Sequence, residues 1–328
     1  MSRRAWGGAD VYATLALVML LWAGNSIVAR AIHTQIAPFS LAFCRWAGAL
    51  LILLPFASHR LVEDWQLIQK HWRSILLLGV LGVASYNTLL YFGLQHTTAT
   101  NALLIQASVP LFVLVFDFTF FRARPSKLMA VGVVVSALGV AIIVFRADPH
   151  ALLALRFGNG DGFVLTAALA WALYTALLRI RPSIHPLSFL AATFAIGAVL
   201  MFPLAVYEHQ FSPIRVTSGV LLGVVYVSIF PSVIAFLLYN RAVAEIGAGA
   251  AGQMASLQPV FGALLAAFIL HESLWSYHLV GMVVIALGIG LAVSSRRSRR
   301  QEAFVPPAAT IAQPDGEPHS VCRTDPLR

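Results

Sequence analysis

The sequence predicts an all-α integral membrane protein, with ten transmembrane helices built as two inverted five-helix repeats. Composition is the first observation behind this. Of the 328 residues, 59% are hydrophobic and 11% charged, far from the balance of soluble domains. Segmentation is the second. Ten apolar runs of about 20 residues, the length that crosses about 30 Å of hydrocarbon, are divided by short polar breaks, and no alternating pattern of the β-barrel kind is present. The third is an internal echo with a constant offset of 149 residues, the distance from Trp22 to Trp171. The same offset carries Arg30 to Arg179, Pro110 to Pro259, Arg122-Ala123-Arg124 to His271-Glu272-Ser273, and Gly132 and Gly139 to Gly281 and Gly288. A long-period echo marks duplication of a structural unit. Five spans per unit is an odd number, so the second copy enters the membrane from the opposite side to the first.

Residues 1–10 form a short polar N-terminus, and residues 11–145 the first repeat. Its first span, 11–32, follows Arg3 and Arg4 in the manner of a signal peptide, but its Trp and Arg recur in the sixth span, so it reads as retained. The second span, 38–58, carries Arg45, and the third, 73–93, carries Tyr86, Asn87 and Tyr91. The fourth, 97–121, has Asn101, Gln106 and Ser108 ahead of a mid-span Pro110, with Asp117 near its end. The fifth, 127–145, holds Ala137-Leu138-Gly139. A link at 146–159 contains Asp148-Pro149 and leads into Gly158-Asn159-Gly160, both breaker signals.

The second repeat covers residues 160–295. The sixth span, 160–180, places Trp171, Tyr174 and Thr175, and the seventh, 186–207, has Phe194 where the second has Arg45. The eighth, 217–240, offers Tyr226, Ser228, Ser232 and Tyr239. The ninth, 247–270, opens on Gly247, Gly249 and Gly252 among alanines, small residues that let helix backbones approach, and continues with Gln253, Ser256, Gln258 and Pro259. The tenth, 275–295, repeats the Ala-Leu-Gly ending at 286–288. The basic, proline-bearing tail at 296–328 reads as disordered, its Arg296 to Arg300 cluster serving as a topology signal.

The formal charge of +9 does not point to nucleic acid, because it lies in short loops and one tail rather than on a basic soluble face. Its placement orients the chain. Arg3, Arg4, Arg60, Lys70, Arg73, Arg122, Arg124, Lys127, Arg179, Arg181, Arg241 and the tail cluster share one side. The other side has Arg30, Arg146, Arg156 and Arg215, which fits the positive-inside rule with both termini in the cytoplasm. Cys44 and Cys322 are too far apart to pair. The ten histidines show no metal-binding spacing, and no P-loop is present, so neither a cofactor nor an ATP engine is expected.

Trp22, Asn25 and Ser26 stand at i, i+3 and i+4 and so share a helix face, a pattern repeated by Trp171, Tyr174 and Thr175. Both tryptophans fall near mid-span, although membrane tryptophans favour the headgroup level. The set suggests either the walls of a central cavity or bulky packing where the repeats meet. Tyr86, Asn87, Tyr91, Asn101, Gln106 and Gln253 extend it, as cavity walls or as hydrogen bonds between helices. Pro110 and Pro259 are hinges or fixed kinks. Arg45, about 4.5 Å from the centre of its span, is either a site for an anionic group or a structural arginine bonded to carbonyls. Asp117, near Arg122 and Arg124, is a surface ion pair or a proton relay, and Glu272 a coupling residue, a helix cap or a partner of Arg30 or Arg215.

Trp22-Ala23-Gly24-Asn25, the stretch from Pro38 to Leu50 with Arg45, and Pro259, Leu270-His271-Glu272, Gly281 and Ala286-Leu287-Gly288 together resemble the drug/metabolite transporter superfamily, in chains built from two EamA-type domains. The first half departs from the pattern where Arg122-Ala123-Arg124 replaces the usual acid. The resemblance implies a ten-helix secondary transporter of the cytoplasmic membrane, commonly an exporter of amino acids or other small metabolites. Its cavity would lie between helices 1, 3, 4, 6, 8 and 9 and alternate by rocking about Pro110 and Pro259. The alternatives are a membrane enzyme, an assembly partner or a flippase acting on lipid-linked intermediates.

Overall fold

The computed structural model describes residues 8–97, 99–146, 158–270 and 273–302, and within them every regular element is helical. The first repeat comprises α1 (Gly8–Ile32), α2 (Pro38–Lys70), α3 (Trp72–Leu94), α4 (Ala99–Ala107 and, after a break at Ser108, Val109–Phe121) and α5 (Lys127–Val144). The second comprises α6 (Asn159–Leu177), α7 (Pro186–His209), α8 (Ser218–Ile246), α9 (Ala248–Gln253, a 3₁₀ turn Met254–Leu257, then Gln258–Leu270) and α10 (Ser276–Glu302). Nine of the described helices are long and apolar enough to cross a membrane, and Val109–Phe121 adds a shorter apolar piece.

Two helices outrun their apolar runs the most. The α2 helix continues from the predicted end at 58 to Lys70, and α10 continues through the arginine cluster to Glu302. Neither extension contains glycine or proline, so nothing in the chain stops a helix that has already been nucleated. The Tyr277 ring rests on His278 at the start of α10. Along the spans, large apolar residues such as Phe56, Val199, Leu222 and Phe268 are 70% or more exposed, the surface expected of helices that face lipid.

Helix α2 packs along α7 and α5 along α10, whereas α1 lies against α8 and α9, and α6 against α3 and α4. Each of these relations maps onto its own mate under the 149-residue offset, so the repeats are related by a two-fold axis. The glycines locate it. A Cβ on Gly132 would lie 2.4 Å from the Gly288 carbonyl oxygen, and one on Gly281 would lie 2.7 Å from that of Gly139. These contacts are isologous in the sense used for two-fold dimers. Between them Ser136 Oγ donates to the Ile285 carbonyl at 3.4 Å, and those two residues are themselves 149 apart. Only a residue on the axis meets its own equivalent.

The α2–α7 pair is tied at both ends by acids acting across it. Glu208, at the end of α7, accepts from Phe39 N (3.2 Å), Ser40 N (2.7 Å) and Ser40 Oγ (2.9 Å) at the start of α2. Asp64, late in α2, accepts from His185 N at 2.8 Å, the residue before α7. Helix N-termini carry unpaired N–H groups and the positive end of the macrodipole, so a carboxylate there contributes about 1 kcal/mol.

Candidate functional site

The centre of the molecule is built on two interrupted helices. In α3 the stretch Val80–Ser85 is π-helical, and in α8 so is Ile229–Ile234. The two stretches correspond residue for residue under the offset. In α8 the cause is Pro231, which has no N–H to donate to the preceding turn. In α3 the equivalent residue is Gly82, where a Cβ would fall 2.5 Å from the Tyr174 ring. A widened turn of this kind is rare and is found mostly at functional sites.

Both interruptions face central side chains. The Pro231 carbonyl accepts from Trp22 Nε1 at 2.9 Å and from Arg45 Nη2 at 3.4 Å. Ser232 Oγ donates to the Val227 carbonyl at 2.7 Å, satisfying a group that the proline leaves short of a donor, and accepts from Arg45 Nε at 2.7 Å. Gly82 opens the room that Tyr174 fills. Each repeat therefore offers a broken third helix to the first-helix face of the other.

Trp22 and Trp171 meet edge to face on the axis, with ring centroids 5.1 Å apart and planes at 85°. Tyr239 lies 5.1 Å from Trp22 and 5.6 Å from Trp171. Phe236 lies 5.9 and 5.8 Å from the same two rings. Tyr86 and Tyr174 flank Trp171 at 5.0 and 5.2 Å. Their hydroxyls are held. Tyr86 donates to Gln106 Oε1 at 3.0 Å, Tyr174 to Asn240 Oδ1 at 2.8 Å, and Tyr239 shares a hydrogen bond with Thr175 at 3.0 Å. In this conformation the expected cavity walls touch one another across the axis, each ring pair contributing about 0.5–1.5 kcal/mol beyond its burial.

The shell around this block is polar on one side and aromatic on the other. Arg45 is 4% exposed. Besides Ser232 and Pro231, its guanidinium reaches Asn87 Oδ1 at 3.3 Å and Asn25 Oδ1 at 3.5 Å from Nη1, lies beside Tyr91, and covers the Trp46 ring at 4.5 Å. At the positions equivalent to Arg45, Asn25 and Asn87 the second repeat has Phe194, Tyr174 and Phe236. Phe194 packs on Trp46 at 5.2 Å and on Phe236 at 5.9 Å.

Of the residues singled out from sequence, the structure gathers Trp22, Asn25, Arg45, Tyr86, Asn87, Tyr91, Gln106, Trp171 and Tyr174 at this centre. Ser26 is exposed and joins none of its described contacts. Gln253 donates instead to Ser136 Oγ (2.7 Å) and the Gly132 carbonyl (3.3 Å), fastening α9 to α5. Pro110 and Pro259 each open a helical piece directly after a break, at Ser108 and at Met254–Leu257. The side chain of Asn101 and the whole of Glu272 lie outside the described residues. Asp117 pairs not with Arg122 or Arg124 but with Arg179 beyond α6, whose Nη2 donates to Oδ2 at 2.8 Å while Nε lies 2.8 Å from Oδ1. The reason is the end of α4, where Arg122 turns left-handed at φ 54° and leads the chain away. Trp46, Pro231 and Phe236 were not singled out, although Pro231 is a mid-span proline and Phe236 is the offset partner of Asn87. Among the described residues no group of three or more His, Cys, Asp or Glu could hold a metal.

A sequence profile of the EamA-like transporter family matches residues 11–145 and 158–294. Among similar chains, the uncharacterized transporter YyaM of Bacillus subtilis (strain 168) is 26% identical over 74% of this chain and 79% of its own. An uncharacterized transporter of Archaeoglobus fulgidus is 26% identical over 86% of this chain and 96% of its own. A solved crystal structure superposes with a TM-score of 0.71 at 17% identity, over 90% of this chain and 99% of that one, a likeness of fold. With both halves matched and organised as two copies of one unit, the chain belongs to the EamA-like transporter family of the drug/metabolite transporter superfamily.

Proposed function

We propose that the protein is a secondary-active carrier that exports amino acids or other small metabolites across the bacterial cytoplasmic membrane, with both termini in the cytoplasm. The observation that carries the reading is the Trp22–Trp171 contact on the axis, 5.1 Å between rings, enclosed by residues of both repeats. A site shared by two inverted repeats can be opened to one side and then the other by exchanging their conformations. The broken helices beside it supply backbone that can change shape without unfolding a whole span. Membership of a transporter family and the names of the similar chains support the same reading. The basic residues on the side of Arg60, Arg122 and Arg181 support the orientation.

The test is counterflow of labelled amino acids and metabolites in proteoliposomes, with and without a pH gradient. Saturable uptake by the wild type, lost in Trp22→Ala and in the double variant Asn25→Ala/Tyr174→Ala while the protein stays folded, is the expected result. Undiminished uptake in those variants would move the site elsewhere.

A further inference from the structure

Arg45 is a buried cation whose every described acceptor is neutral. Its partners are the hydroxyls of Ser232 and Tyr91, two side-chain amide oxygens, a backbone carbonyl and a ring face. The acids have other partners and lie toward helix ends. Asp117 is held by Arg179, Glu63 by Arg60, Asp64 by His185 N, Glu208 by the start of α2, and Asp161 by Gly158 N and Thr97. No salt bridge joins Arg45 to an acidic residue among the described residues. A positive charge out of water and without a counter-ion is the state that an incoming anion relieves most.

The guanidinium is also oriented for one. Nε is fixed by the short bond to Ser232, 2.7 Å, whereas the hydrogen bonds of Nη1 and Nη2 to Asn25, Asn87 and Pro231 are long, 3.3–3.5 Å, with the neutral Tyr91 hydroxyl beside the guanidinium. That edge is the fork that matches a carboxylate with two parallel hydrogen bonds. Nη1 reaches Asn25, one turn beyond Trp22, and Asn87, next to Tyr86, so the fork borders the aromatic block. On the other side of the axis Phe194 stands where a second arginine would be.

We propose that the solute is an organic monoanion with a planar or apolar body, its carboxylate on the Arg45 fork and its body among Trp22, Trp171, Tyr174 and Phe236. The assignment rests on the carrier reading and narrows it. One cation against neutral acceptors sets the charge at minus one. With no acid at the centre among the described residues, an ammonium group would find no counter-charge there, so the zwitterionic amino acid ranks below the simple carboxylate. Asn25 and Asn87 release Nη1 when the anion arrives.

Three probes share a phenyl ring and a short chain but differ in net charge: 3-phenylpropionate, phenylalanine and phenethylamine. Each is added to the purified full-length protein, with thermal unfolding as the binding readout, and to proteoliposomes loaded for counterflow. The expected order of affinity is 3-phenylpropionate over phenylalanine over phenethylamine, with about tenfold between neighbours. Asn87→Asp places an internal carboxylate beside Nη1. It is expected to keep or raise the ligand-free melting temperature while abolishing the response to 3-phenylpropionate, a combination that a purely structural arginine would not give. Arg45→Lys, which keeps the charge but loses the fork, is expected to weaken that response about tenfold.

Equal responses to the three probes, no response to any, a preference for the amine, or an anion response that survives Asn87→Asp would each overturn the assignment. Binding of 3-phenylpropionate without flux would overturn the carrier reading and keep the anion site. Flux of a neutral or cationic solute that ignores Arg45 would do the reverse.

Discussion

Asp117 and Arg179 close a two-pronged ion pair between the end of α4 in one repeat and the turn after α6 in the other, at 2.8 Å on both prongs. The offset partners of these residues are Ala266 and Arg30, so no copy of this bond exists at the opposite end of the molecule. Only the Nη2–Oδ2 prong has hydrogen-bond geometry, and Arg179 is 41% exposed, which limits the pair to about 1 kcal/mol. Asp117→Asn is therefore expected to raise the population open at that end about fivefold. The check is a protein in which Cys44 and Cys322 are replaced by serine and Ala176, fully buried one turn before Arg179, is changed to cysteine. Its labelling by a membrane-impermeant maleimide rises in the Asp117→Asn background.

Gly132→Ala is expected to lower the melting temperature in detergent, corresponding to about 1–3 kcal/mol. The new methyl would meet the backbone carbonyl of Gly288 at 2.4 Å, and backbone cannot step aside as a side chain can. Gly288→Ala carries the same penalty, because its methyl meets the Gly132 carbonyl at 2.6 Å. Gly290→Ala, two residues on and with nothing within 4 Å, is expected to be neutral or to stabilise by up to about 1 kcal/mol.

Glu208→Ala uncovers the first N–H groups of α2 and is expected to cost about 1–2 kcal/mol. Glu208→Gln keeps an acceptor but not the charge and is expected to recover about half of that. Melting curves of the two variants against wild type decide it, and identical curves would remove the cross-helix cap from the account.

Pro231→Ala restores a donor to α8 and favours an ordinary helical turn by up to about 3 kcal/mol. The expected result is a higher melting temperature with slower counterflow, since Ser232 then competes for the Val227 carbonyl and the shared carbonyl of Pro231 moves from Trp22 and Arg45. Faster counterflow would show that the widened turn does not serve transport.

Much of this was legible in the chain. Span length and the 149-residue echo give the ten helices and the correspondence between the two repeats, because bilayer thickness and duplication both act on sequence directly. The Trp22–Asn25 spacing places two of the central residues for the same reason. What escaped is whatever depends on how a helix is rotated against its neighbours. Apolar residues surround each span, so hydrophobicity cannot say that Gln253 turns toward Ser136, that Arg179 reaches Asp117, or that Ser26 is left exposed. The paired widened turns escaped because a proline stands in one and a glycine at the equivalent place in the other, a likeness of backbone without a likeness of residue.

The α5–α10 contact, with Gly132 on Gly288 and Gly139 on Gly281, is self-complementary, so a single repeat could bind another copy of itself only if that copy were inserted upside down. Two unlinked identical copies would have to put two arginines or none beside their tryptophans. Joining the copies in one polypeptide fixes their opposite orientations and frees their residues to differ. The molecule can therefore carry one positive charge at a centre whose geometry is two-fold.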